Sequence, residues 1–131
     1  MNRLLLLAGL AVAVVLVAGA NGADEKPMSI KEVMKVAHSK DGYRAKVTAA
    51  VKDKNFDTIS TVVKDWEKAA VDLSKNTPPK GEADSWKKLT EAYTKNIQAM
   101  AKAAGDKDVK GVQASLKTVG SSCGACHKSH R

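Results

Sequence analysis

The sequence predicts an all-α protein, an antiparallel four-helix bundle in up-down-up-down order. Three observations predict it. Alanine and lysine are abundant, and the alternating apolar–polar runs of strands are absent. Proline is confined to positions 27, 78 and 79, outside every periodic segment. Apolar residues recur at spacings of three and four in four successive stretches.

The first stretch opens at Ser29. Ser29-Ile30-Lys31-Glu32 has the form of a capping box, with Pro27 just upstream. Ile30, Val33, Met34, Ala37 and His38 then share one helical face. Asp41-Gly42 interrupts the pattern, which resumes with a shifted phase at Tyr43, Val47, Ala50 and Val51. One long kinked helix and two short helices both satisfy it. The second stretch covers residues 55–73, with Phe56, Ile59, Val63, Trp66, Ala70 and Leu73 as its seam. Residues 74–81 read as a loop, because Pro78-Pro79 cannot continue a helix. The third stretch, 82–104, presents Trp86, Leu89, Tyr93, Ile97, Met100 and Ala104. Gly105 suits the position after a helix end, and Asp106 suits the cap of the next helix. The fourth, 107–130, presents Val109, Val112, Leu116 and Val119. The same count then lands on Cys123, Cys126 and His130, with His127 bordering that face. Short connections at 52–54 and at 105 favour antiparallel neighbours.

Upstream of these stretches lies a leader. Met1-Asn2-Arg3 is a basic start, and the 17 residues from Leu4 to Ala20 are uncharged and mostly aliphatic. Small residues follow, in the pattern of a secretory signal peptide. Residues 1–22 are expected to be removed, with cleavage after Gly22 preferred to cleavage after Ala20. Read as an anchor instead, the run is at the short end for a membrane span. Residues 23–131 then form one exported domain, periplasmic or otherwise outside the cytoplasm, with no stable membrane insertion after cleavage. Its 21 basic and 14 acidic residues give a charge of +7.

The length excludes a large multi-domain enzyme, and two cysteines exclude a disulfide-dense scaffold. There is no catalytic triad, paired-carboxylate site or phosphate loop, so no enzyme is expected. Five aromatic residues leave a thin core for a domain of this size.

Both cysteines lie in Cys123-Gly124-Ala125-Cys126-His127, and Cys-x-x-Cys-His is the attachment pattern of c-type haem. On a helix, positions i, i+3 and i+4 lie on one side. Two thiols so spaced can add to the two vinyl groups along one porphyrin edge, while the next imidazole ligates the iron. Gly124 and Ala125 are small enough not to obstruct the ring. A thioredoxin-like redox pair would need a strand-to-helix junction, which the pattern lacks. Zinc held by Cys123 and Cys126 with His127 or His130 would need further donors from His38 or a carboxylate. One covalent haem c per chain is the expectation, and its planar apolar bulk would supplement the sparse aromatics.

With these residues in view, the chain resembles the class II cytochromes c, the family of cytochrome c prime and its low-spin relatives. The resemblance rests on the leader, the four amphipathic stretches and the late Cys-x-x-Cys-His. It implies thioether links at Cys123 and Cys126 and a proximal iron ligand at His127. Low-spin members add a methionine from the first helix, and Met34 matches that place. His38, one turn later on the same face, is the rival sixth ligand. Met28 and Met100 are not expected to ligate, Met100 being read as core. His130 is expected to be solvated or beside the propionates, with Lys128 and Arg131 as other candidates for that side. Trp66 and Trp86 are expected to pack the bundle.

Methionine–histidine ligation leaves no open position and raises the potential relative to bis-histidine. The expected function is therefore one-electron transfer. The alternative is a five-coordinate protein that binds NO or CO, with Met34 as a wall of the pocket. The basic charge implies an acidic redox partner, an anionic surface or plain solubility. Nucleic acid is not an expected partner, and both monomer and homodimer stay open.

Overall fold

The computed structural model describes residues 25–131, and the leader expected at 1–22 lies outside them. Five helices follow in order: α1 (Ile30–His38), α2 (Tyr43–Lys52), α3 (Phe56–Ser74), α4 (Ala83–Gly105) and α5 (Val109–His130). They make a four-cornered bundle. The α1–α2 pair occupies one corner, and α3, α4 and α5 occupy the others.

The first stretch is thus two helices. Ser29 Oγ accepts from the Glu32 amide at 3.3 Å, and the Ser29 amide donates to Glu32 Oε2 at 2.8 Å. This closes the capping box and starts α1. The Ser29 amide and the Ser29 hydroxyl both donate to Glu32 Oε2 and hold the Glu32 carboxyl below the usual carboxylate range. The helix stops at His38, and the chain turns through Ser39–Gly42, with the Gly42 amide donating to Ser39 O. Gly42 is buried, and a Cβ there would lie 2.8 Å from Val36 O and 2.9 Å from the Ala37 carbonyl. Only glycine lets the start of α2 come this close to the end of α1.

The break has an architectural result. Helix α2 packs on both α3 and α5 and closes its corner of the bundle. Helix α1 packs on α2 and α3, yet none of its Cα atoms comes within 8 Å of α4 or α5. The opening between α1 and the α4–α5 wall is the candidate site.

The two short turns share one device. The amides of Lys54 and Asn55 donate to Val51 O and Ala50 O, and those of Lys107 and Asp108 donate to Ala104 O and Ala103 O. Lys54 (φ 52°) and Lys107 (φ 55°) occupy the left-handed position that ends a helix in this way. The next residue then caps the following helix. Asn55 Oδ1 accepts from the Thr58 amide, and Asp108 Oδ1 accepts from the Gly111 amide, each at 3.0 Å. The expected cap at Asp106 is therefore wrong. Gly105 is the last residue of α4, and Asp106 pairs with Lys102 at 2.7 Å.

The interior is built from the expected seams. Ile59, Val63, Trp66 and Ala70 of α3 meet Ile97 and Met100 of α4 and Val112 and Val119 of α5, all of them fully buried. Met100 is core, as expected. Met28 also packs against the core, its backbone held by Asp72 and Asn76 of α3 and the loop after it.

Replacing Gly42 by alanine forces a methyl into the carbonyls of Val36 and Ala37. A loss of about 1–3 kcal/mol is expected, the range for overpacking a tight interior. Urea unfolding of the haem-loaded protein checks it, with a Gly105→Ala control, because Gly105 has open space around it.

Candidate haem site

Three walls enclose a cavity of about 380 Å³. Helix α1 contributes Ile30, Met34 and His38, a stripe at spacings of four. Helix α4 contributes Trp86, Leu89, Thr90 and Tyr93. Helix α5 contributes Cys123, Cys126, His127 and His130, with Arg131 just beyond. The lining is almost wholly apolar apart from the thiols and the imidazoles. That volume is within the ordinary range of small-molecule pockets, about 300–1,000 Å³.

The helix register delivers the donor set. Cys123, Cys126 and His127 fall at i, i+3 and i+4 of α5, so all three face the cavity. The thiols are free and half-buried. Burial, and then the neighbouring Cys123, push the Cys126 thiol up, so it rests as a neutral thiol. Gly124 and Ala125 are exposed on the far side and leave the cavity clear. Two thiols free of any disulfide and an imidazole on one wall of an apolar cavity fit a covalently held porphyrin. Among the described residues no cluster of three or more cysteine, histidine and carboxylate side chains could hold a metal ion on its own.

Met34 lines the α1 wall, half-buried, and His38 lines it one turn later. The two are not equivalent. His38 Nε2 lies 2.9 Å from Tyr93 Oη, and Tyr93 Oη accepts from the Trp66 indole N–H at 2.6 Å. The His38 ring also meets Trp66 edge-on, with centroids 5.7 Å apart. Burial, then the charges of Arg44 and His127, lower the His38 pKa, so its ring is held neutral. Burial drives the Tyr93 phenol far above its ordinary value, so its proton stays on. This polar chain inside the bundle was not expected, because Trp66 and Tyr93 read as plain seam residues. The aromatic type itself was the available signal: a buried indole or phenol commonly finds a partner for its polar atom, although the Trp86 indole N–H has none among the described residues.

His130 corrects an expectation. It is 3% exposed, not solvated. Its Nδ1 lies 3.0 Å from Lys80 O, its Nε2 lies 3.0 Å from Ser85 Oγ, and its ring packs edge-on against Trp86 at 5.4 Å. Nδ1 carries the proton and donates to the carbonyl, so Nε2 accepts from the serine hydroxyl. Gly81 makes the clasp possible. Its φ is +85°, and a Cβ there would collide with Ser129 O and with the His130 ring. The last turn of α5 is thereby fastened to the loop before α4. Lys128 is exposed and does not line the cavity, whereas Arg131 does. Trp86 lines the cavity; Trp66 does not, and meets the lining at Tyr93 and His38.

Replacing His130 by leucine keeps the bulk but leaves Lys80 O and Ser85 Oγ without their partner. A loss of about 1–3 kcal/mol is expected on urea unfolding of the loaded protein. Replacing both Cys123 and Cys126 by serine should abolish covalent haem, with the mass of the denatured chain falling by one haem.

Over residues 28–131 the chain matches the family model described as Cytochrome C'. No curated protein and no solved structure gave a match. That match covers most of the chain and includes all five helices and every cavity wall. The chain belongs to the cytochrome c′ family, the class II cytochromes c, and is a non-enzymatic four-helix haem protein with one covalent haem c.

Proposed function

We propose that the protein is an exported one-electron carrier whose haem is six-coordinate and low-spin. Cys123 and Cys126 would hold the haem through thioether bonds, His127 would supply the proximal ligand, and Met34 the distal one. When bound, haem supplies an Fe(III)/Fe(II) couple. The observation that carries this reading is the pairing of walls. Met34 lines the α1 side of the same apolar cavity whose α5 side carries His127. His38, the rival donor on α1, has its Nε2 engaged by Tyr93.

The surrounding residues support an electron carrier in three ways. The apolar lining would limit water at a bound haem and lower the local dielectric, which would disfavour the more highly charged ferric state. A thioether from Met34 favours reduced iron over oxidised iron more than a second imidazole would. The clasp at His130 and the packed α4–α5 pair hold His127 on a rigid element, so little rearrangement accompanies a change of charge.

Among the described residues no helix is long and apolar enough to cross a membrane. With the leader at 1–22, this supports a periplasmic protein of the mature span 23–131. The basic charge supports an acidic redox partner, reached through exposed lysines such as Lys31, Lys35 and Lys128 on the elements that line the cavity. The second reading is a five-coordinate NO- or CO-binding protein. The apolar lining itself favours it, because a diatomic ligand needs an unoccupied apolar pocket.

Optical spectra of the haem-loaded protein, oxidised and reduced, with and without CO, separate the two. The expected result is a low-spin ferric spectrum with the weak long-wavelength band of methionine sulfur on iron, and no CO binding. Met34→Leu should then become high-spin and take up CO. A wild-type protein that is already high-spin and binds CO would overturn the carrier reading in favour of gas binding.

A further inference from the structure

The direction of the Trp66–Tyr93–His38 chain is fixed by chemistry. An indole nitrogen only donates, so Trp66 Nε1–H occupies one lone pair of the Tyr93 oxygen. The phenol has one proton to place, and His38 Nε2 is its acceptor. In the reverse sense His38 would donate, the Tyr93 oxygen would accept twice, and its own proton would be buried with no acceptor. Tyr93 is 7% exposed and makes no other hydrogen bond, so the reverse sense leaves two buried groups unpaired, the phenol proton and the His38 Nδ1 lone pair, against one, the Nδ1 proton, in the forward sense, and the forward direction holds. His38 therefore carries its proton on Nδ1, a buried atom without a partner, and its Nε2 lone pair is occupied.

That lone pair is the one an imidazole commonly offers to a metal. His38 lines the same cavity as His127, one turn after Met34 on the same stripe. Without Tyr93, the α1 wall would present a free imidazole beside a thioether, and ferric haem would take the imidazole. We propose that Tyr93 determines which axial ligand the haem iron takes: its hydroxyl masks His38 and leaves Met34 as the available donor from α1. This deepens the electron-carrier reading and rests on it for the part assigned to Met34. Tyr93 is a positioning residue, acting on the iron through His38. Trp66 acts one step further out, its indole N–H holding the Tyr93 oxygen in place beside His38. To reach iron, His38 has to abandon Tyr93 and leave the phenol proton buried without an acceptor.

The experiment compares the loaded wild type with Tyr93→Phe, Tyr93→Phe/His38→Leu and Met34→Leu, by optical and electron paramagnetic resonance spectra and by midpoint potential. Tyr93→Phe keeps the ring and removes the hydroxyl. It should lose the methionine–iron band, gain the resonances of a bis-imidazole ferric haem and shift to a lower potential. Adding His38→Leu should abolish those bis-imidazole features. Met34→Leu, with Tyr93 intact, should be five-coordinate and bind CO, because His38 stays masked. Tyr93→Phe with an unchanged spectrum and potential would overturn the proposal, as would a Met34→Leu protein that is already bis-imidazole. Met34 is only half-buried, so Met34→Leu decides the matter even if Tyr93→Phe does not fold. The two readings fail separately. A five-coordinate wild type sinks the part given to Met34, while conversion of Tyr93→Phe to a bis-imidazole haem through His38 still upholds the mask.

Discussion

The close approach of Gly42 to the carbonyls of Val36 and Ala37 is the constraint on which the rest of the structure depends. It lets the chain end one helix and begin another within four residues. Helix α2 can then lean on α5 and seal one end of the bundle, while α1 stands away from α4 and α5. A single straight helix over residues 30–52 would have to do both at once. The cavity is the space left by that division of labour, and the stripe of Ile30, Met34 and His38 faces it because α1 is no longer bound to the phase of α2.

Within the cavity, two histidines on different walls are each tied by groups far away in the chain. His38 is tied to Tyr93, and His130 to Lys80 and Ser85. Both ties lie in surroundings where an unpaired polar atom is costly, so each fixes a tautomer as well as a position. His127, which also lines the cavity, has no such tie among the described hydrogen bonds. The distribution of partners thus distinguishes the three imidazoles, although their residue type is the same.

Much of this was legible in the sequence. The Cys-x-x-Cys-His spacing and the Ser29–Glu32 box are local patterns, and the helix alone fixes their geometry. The seams of α3 and α4 followed from period, since burial of an apolar stripe is decided within each helix. What failed was either non-local or rested on an unusual residue. The clasp at His130 joins atoms 45 and 50 residues apart, and nothing near His130 in the chain announces it. The turn into α5 uses a left-handed lysine where glycine is the common choice, so attention went to Gly105 and the cap was placed two residues early. The phase shift after Gly42 showed a break but not its depth, because the same pattern fits a kink. Tyr93 looked like a seam residue and is one; its hydroxyl partners come from α1 and α3.

The standing-off of α1 has a consequence for how the molecule breathes. A nine-residue helix has too few internal hydrogen bonds to be stable alone in water. It is held by its packing on α2 and α3 and, across the cavity, by one hydrogen bond from a single side chain. The helices α3, α4 and α5 are each about twice as long and pack on one another in sequence. The bundle therefore joins helices of unequal length and packing. A short helix packed on two neighbours opens at lower cost than long helices packed on one another. The wall that carries Met34 thus belongs to the shortest helix of the bundle, and the wall that carries His127 to one of the longest.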